Sequence, residues 1–218
     1  MEHFFDLGLV APHGAVTLQG CCWLVVLVSA CSLAGPVFAD NVIVREGQVT
    51  SETKAGKTWT RLSGLVEATT DMPPARLAAV ITDWASYPRI FPKIRKVDTV
   101  PGETFVLLSE TTVVSVLGFS VTNHFTLRII TAPPESGVVR IRWTQETTDG
   151  TIDGLEGGWD LEPLTDGRSG TLVRYRTVSS VPEGFLGQAG LLGLFFPGEL
   201  KQIVASVLAE ARQRKEKP

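Results

Sequence analysis

The chain has 218 residues, 44% hydrophobic and 20% charged, with 20 Lys and Arg against 23 Asp and Glu. The first 39 residues hold two acids, Glu2 and Asp6, and no Lys or Arg, so the remainder sets 20 bases against 21 of the 23 acids. That balance creates no long-range field to draw in a nucleic acid or an anionic membrane, and it argues against a nucleic-acid function.

Cys21 to Ala39 reads CCWLVVLVSACSLAGPVFA, an uncharged apolar run ending in Val37-Phe38-Ala39 before Asp40. This fits a secretory signal with a small-residue cleavage site, so residues 1–39 read as targeting sequence on an exported, extracytoplasmic protein. The missing upstream positive charge departs from that pattern. Two other fates stay open. Val28-Ser29-Ala30-Cys31 is similar to a lipobox, which would leave Cys31 as a lipidated N-terminus, and the run is just long enough to remain as a membrane anchor. All three cysteines, Cys21, Cys22 and Cys31, lie here, so a chain cleaved after Ala39 keeps no thiol, disulfide or cysteine metal site. The chain from Asp40 onward is long enough for one domain with a single core.

Asn41 to Thr50 and Thr58 to Thr69 are extended runs separated by SETKAGK. Residues 40–57 read as an N-terminal arm or extra strand, and 58–216 as the main domain. Asp71 is expected to cap a helix whose first turn holds Pro73 and Pro74. Leu77, Val80, Ile81 and Trp84 fall at i, i+3, i+4 and i+7, the spacing of one buried face. Pro88 and Pro92 disfavour helical geometry in the residues before them, so turns are expected after Tyr87 and after Phe91. Strand candidates come next at Lys93 to Val100, Thr104 to Val114, Phe119 to Thr131, Gly137 to Thr147, Leu155 to Leu161 and Thr171 to Val181. Turn residues such as Pro101-Gly102, Asp149-Gly150 and Asp166-Gly167 punctuate them, a rhythm that predicts a meandering antiparallel sheet. Glu199 to Arg214 closes the chain as a helix with Leu200, Ile203, Val204, Val207, Leu208 and Ala211 on one stripe.

The corner DWASYPRIFP and the later GLEGGWDLEPL, Gly154 to Leu164, together resemble the START-like superfamily, and within it the polyketide cyclase and coenzyme-Q-binding START branch. The resemblance runs from about Trp59 to Arg212. It implies an α+β helix-grip fold: a curved antiparallel sheet wrapped around a long C-terminal helix, with two short helices near the N-terminal side. It also implies a cavity between sheet and helix that takes an apolar or amphipathic small molecule, with chemistry in only some members.

Alternation along each strand assigns its side chains to two faces. The apolar parity places Phe125, Leu127, Ile129, Val139, Ile141, Trp143, Gln145, Trp159, Leu161, Val173, Tyr175 and Thr177 inward. Arg128, Arg140, Arg142, Asp160, Glu162, Arg174 and Arg176 fall outward, and cross-strand pairing makes them a surface ion-pair ladder before it makes them an anion site. His124, the one histidine after residue 39, also falls outward. No zinc site or His-dependent triad can be assembled from it, and no cofactor is implied. Carboxylates paired in one pocket are not evident, and the inward polar groups reduce to Asn123, Gln145, Tyr175 and Thr177. Gly184 to Phe196, GFLGQAGLLGLFF, reads as an apolar loop that gates the cavity and touches a membrane, or lies folded against the helix.

The expected ligand-binding residues are therefore Phe125, Trp143, Trp159, Tyr175, Phe185, Leu191 and Phe195, around a quinone, isoprenoid or acyl lipid. The competing readings are a cyclase or aromatase using Tyr175 and Asn123 to orient a polyketide, and an envelope adaptor docking through Leu191 to Phe196.

Overall fold

The computed structural model describes residues 41–116, 119–165, 169–182 and 189–216. The signal, lipobox and anchor readings of residues 1–39, the residue Phe185 and the side chain of Leu191 lie outside what is described. Two-residue periodicity becomes eight strands: β1 (Ile43–Lys54), β2 (Lys57–Thr70), β3 (Ile94–Pro101), β4 (Val106–Val116), β5 (Phe119–Thr131), β6 (Val139–Thr148), β7 (Asp153–Pro163) and β8 (Thr171–Pro182). They form one antiparallel sheet in the order β1-β2-β8-β7-β6-β5-β4-β3. Three helices, α1 (Pro74–Ile81), α2 (Tyr87–Ile90) and the long α3 (Ala189–Glu216), complete the α+β helix-grip fold expected from the sequence.

Residues 40–57 contribute β1, an edge strand of the same sheet, registered against β2 from Ile43 opposite Glu67 to Lys54 opposite Lys57. Ser51–Lys54, read as connection, continue the strand because the reversal needs only Ala55 and Gly56, both at positive φ (49° and 73°).

Local corrections gather around the first two helices. Asp71 does not cap α1; the N-cap is Pro73 in extended geometry, and the Asp71 carboxylate instead pairs with Arg212 at 3.2 Å. The helix stops before Trp84: Thr82 leaves helical geometry (φ −94°, ψ 1°), its N–H makes the last bond to the Ala78 carbonyl, and its hydroxyl donates to the same oxygen. Trp84–Ser86 form a 3-10 turn, and α2 then begins at Tyr87. Pro88 sits inside the first turn of α2, where its missing N–H would have had no partner, so the chain does not break after Tyr87. It does become extended at Phe91.

The closing helix starts at Ala189 instead of near Glu199, so residues 189–196, read as loop, are helical. Pro197 lies within it and costs a helical hydrogen bond. Packing on both sides of that proline offsets the loss: Phe196 packs on the core, and the Pro197 ring rests over Gly47, 3.1 Å from where a Cβ would stand. Gly47 is opposite Gly64 in the β1–β2 register, and a Cβ on Gly64 would overlap the Leu200 side chain. The two glycines make a flat seat for α3. From there Leu200, Val204, Val207, Leu208 and Ala211 run buried along the concave face of the sheet.

Candidate functional site

Where β4–β8 curve away from α3, the space is not filled. A cavity of about 330 Å³ remains between the sheet, the α1–α2 corner and the middle of α3. Its size falls within the range of small-molecule sites. Strand alternation explains its wall. Leu108, Glu110 and Thr112 project from β4; Phe125, Leu127 and Ile129 from β5; Ile141 and Trp143 from β6; Trp159 from β7; Tyr175 and Thr177 from β8. Ile81, Trp84, Tyr87 and Phe91 close one side, and Glu199, Gln202, Ile203 and Ser206 of α3 the other.

The GLEGGWDLEPL segment is legible here as packing. Trp143 is opposite Gly157 in the β6–β7 register, and a Cβ at Gly157 would stand 2.5 Å from the indole, so the bare glycine lets Trp143 lie down across β7. A Cβ at the next residue, Gly158, would collide with Arg142 on the other face. Adjacent glycines thus admit an aromatic inside and a guanidinium outside. Tyr175 completes the interior cluster, its ring centroid 5.8 Å from Trp143 and 4.6 Å from Trp159.

Of the residues expected to contact a ligand, Phe125, Trp143, Trp159 and Tyr175 stand in this wall. Phe195 does not; it projects from α3 and is 58% exposed, beside Leu194 at 76%. Gln145 and Asn123 are also away from the wall. Gln145 is used on the β6–β7 connection, donating to the Ile152 carbonyl and accepting from the Leu155 N–H, while Asn123 donates to the Thr112 hydroxyl.

The residue that sequence reasoning missed is Glu110. It is 8% exposed, faces the cavity, and has no hydrogen-bond or ion-pair donor among the described residues. Burial pushes its carboxyl up to about 7. The signal was available: Glu110 shares parity with Leu108, which is fully buried. It was masked because Val106–Val116 reads VLLSETTVVSV, with apolar residues on both parities. Tyr87 was missed as a wall residue too. Its hydroxyl donates to the Ile81 carbonyl at 2.7 Å, and burial holds it well above the usual phenol range. Burial likewise raises Tyr175 to about 12, against the opposing pull of its hydrogen bond with Thr177.

The outer face carries the ion pairs. Asp160 is 4% exposed beneath Arg142 and Arg176, which both bond it. Burial works to raise this carboxyl, but the two guanidiniums outweigh it and leave it below the ordinary range. Arg174 joins Glu162 (2.6 Å) and Glu67 (3.0 Å), and Arg128 holds Glu146 through two bonds of 2.9 Å. His124 is exposed on this face, its Nδ1 3.1 Å from the Thr111 hydroxyl. Among the described residues no three His, Cys, Asp or Glu side chains come together as a metal site.

The fold that carries this site is shared. The sequence profile for polyketide cyclase / dehydrase and lipid transport matches residues 70–208. The chain belongs to that family. Its strands and closing helix are similar to a STAR-related lipid transfer protein from Xanthomonas axonopodis, at 11% identity and TM-score 0.58, covering 76% of this chain and 98% of that one. Human StAR-related lipid transfer protein 5 superposes at 12% identity and TM-score 0.60, over 78% and 88% of the two chains. The Zhui aromatase/cyclase from Streptomyces sp. R1128 does so at 21% identity and TM-score 0.52, over 72% and 97%. No curated protein matches the sequence. At these identities the likeness shows the helix-grip fold alone and leaves the cavity and its contents to this chain's own residues.

Proposed function

We propose that the protein binds a hydrophobic small molecule in this cavity, without transforming it, and that it does so as an exported protein whose residues 1–39 direct it out of the cytoplasm. The observation that carries the reading is the cavity itself: about 330 Å³ walled by Leu, Ile, Phe and Trp side chains under a single helix. Apolar ligand surface buried there contributes roughly 25 cal/mol per Å² before the costs of association are subtracted. Quinones, isoprenoids and acyl lipids all suit such a wall. The lipid transfer proteins of the same fold support the reading, and the apolar run from Cys21 to Ala39 supports export. The exposed pair Leu194 and Phe195, near the start of α3, is the natural point of membrane contact.

The test is to purify the whole protein under native conditions from cells rich in quinones and lipids. Native mass spectrometry and solvent extraction then ask for a stoichiometric apolar adduct, and the same spectrum reports whether the chain has been cut after Ala39. A protein that is reproducibly empty overturns the reading. Replacing Trp143 by Ala should lower adduct occupancy severalfold. Its cost in stability should stay below the roughly 3–5 kcal/mol of a fully packed aromatic, because one side of this indole already faces open space.

A cyclase reading keeps one support, the Tyr175 hydroxyl in the wall, since Asn123 does not stand there. Turnover of a polyketide that Tyr175→Phe abolishes while binding survives would establish it.

A further inference from the structure

Resting on the binding reading above, the cavity's polar groups identify what kind of polar end its ligand carries. Glu110 lies opposite Phe125 in the β4–β5 register and shares the cavity wall with two aromatic groups. One is Tyr87 with Trp84 and Phe91, at centroid separations of 5.3 and 5.0 Å; the other is Tyr175 with Trp143 and Trp159. The charge of Glu110 is felt by both Tyr87 and Tyr175. Tyr87 does not serve it, because its hydroxyl donates to the Ile81 carbonyl, and Tyr175, whose oxygen is bonded by Thr177, makes no hydrogen bond to Glu110 among the described residues. The remaining charges on the wall, Lys93 and Glu199, satisfy each other at 2.5 Å.

A buried carboxyl without a donor, set among aromatic rings and away from any unpaired cation, lacks positive charge. A ligand acid would add a second negative group to a low-dielectric space, and a simple hydrocarbon would leave the carboxyl unsatisfied. An ammonium answers both needs, with a charge-assisted hydrogen bond to the carboxylate and cation–π attraction to the rings. We propose that the cavity takes a lipophilic amine, and that Glu110 is the counter-ion of its ammonium group and sets this specificity. No covalent bond changes other than the carboxyl O–H. Where Glu110 is protonated before binding, its proton passes to solvent as the ammonium docks. Amine affinity therefore rises with pH through the neutral range, with Tyr87 from α2, Tyr175 from β8 and the Lys93–Glu199 pair as the other titratable and charged groups facing the site.

The experiment compares three probes of equal chain length, dodecylamine, dodecanol and dodecanoate, by calorimetric titration of the whole protein slightly above neutrality. The amine is expected to bind at least about tenfold more tightly than the acid, with the alcohol between them, and to weaken as the pH is lowered. Glu110→Gln should remove the amine's advantage while leaving the alcohol's affinity within about twofold, which also shows that the variant's cavity is intact. If that variant does not fold, the wild-type order and its pH dependence decide the matter. Acid binding equal to or tighter than amine binding overturns the proposal, as does a Glu110→Gln protein that keeps the preference. Failure of all three probes overturns the binding reading with it, whereas equal binding of all three overturns only the amine.

Discussion

At the scale of single residues, Glu110 links the cavity to the stability of the fold. Its carboxyl is raised to about 7 from an ordinary 4.5, so the folded state holds this proton where the unfolded state has already lost it. Stability from this group is complete below the unfolded value, declines as pH rises from about 4.5 to about 7, and stays at its reduced level above. At about 1.4 kcal/mol per unit the loss is on the order of 3 kcal/mol. Glu110→Gln should therefore match the wild type in acid and exceed it above neutrality, a divergence that denaturant midpoints across pH will reveal. Identical pH profiles would mean that Glu110 is solvated. The residue was hard to read from sequence because alternation reports a face only when one parity is polar, and β4 is apolar on both. Trp143, Trp159 and Tyr175 were legible because arginines and acids alternate with them, and a charge that must reach water fixes the parity of its neighbours.

At the scale of elements, periodicity located most strands and the apolar stripe of α3, because both result from burial of one face. Ends and caps obeyed local geometry that alternation does not encode. Asp71 had the residue type of a cap yet was taken by Arg212, and Pro197 had the appearance of a helix start yet was retained inside α3. What decides the second case is the seat made by Gly47 and Gly64. Gly64→Val should force Leu200 and α3 outward and lower stability by at least about 2 kcal/mol, in the manner of an overpacked core. Valine at Gly56, in the exposed turn, meets nothing within 4 Å and serves to separate backbone strain from displacement of the helix. Thermal unfolding reads both losses; a Gly64→Val protein as stable as the wild type would show that α3 does not press on β2.

At the scale of the whole molecule, α3 is held unequally along its length. Near its C-terminal end Glu210, 7% exposed, takes two bonds of 2.5 and 2.6 Å from Arg89 of α2 and a third from Arg214, which reaches on to Asp83. The bonds from Arg89, opposed by burial and joined by those from Arg214, bring the Glu210 carboxyl down to about 2. Being lowered, it contributes stability that is complete above its ordinary value and is lost only as pH falls toward 2. Glu210→Ala should cost about 2 kcal/mol at neutral pH, more than a surface pair would, and the cost should shrink in strong acid. Circular dichroism melts at several pH values measure it directly.

Toward the other end, the charge contact of α3 with the corner is Lys93 with Glu199, both half-exposed and both at the rim of the cavity. A solvated pair of this kind contributes at most about 1 kcal/mol. Lys93→Ala should leave the melting temperature nearly unchanged while the dissociation rate of a bound probe, followed by stopped-flow fluorescence, rises severalfold. The rim pair is then a latch on a helix that is seated at both ends: packing sets how long the fold endures, and the latch sets the residence time of the cargo, so evolution or an engineer can retune exchange without disturbing endurance.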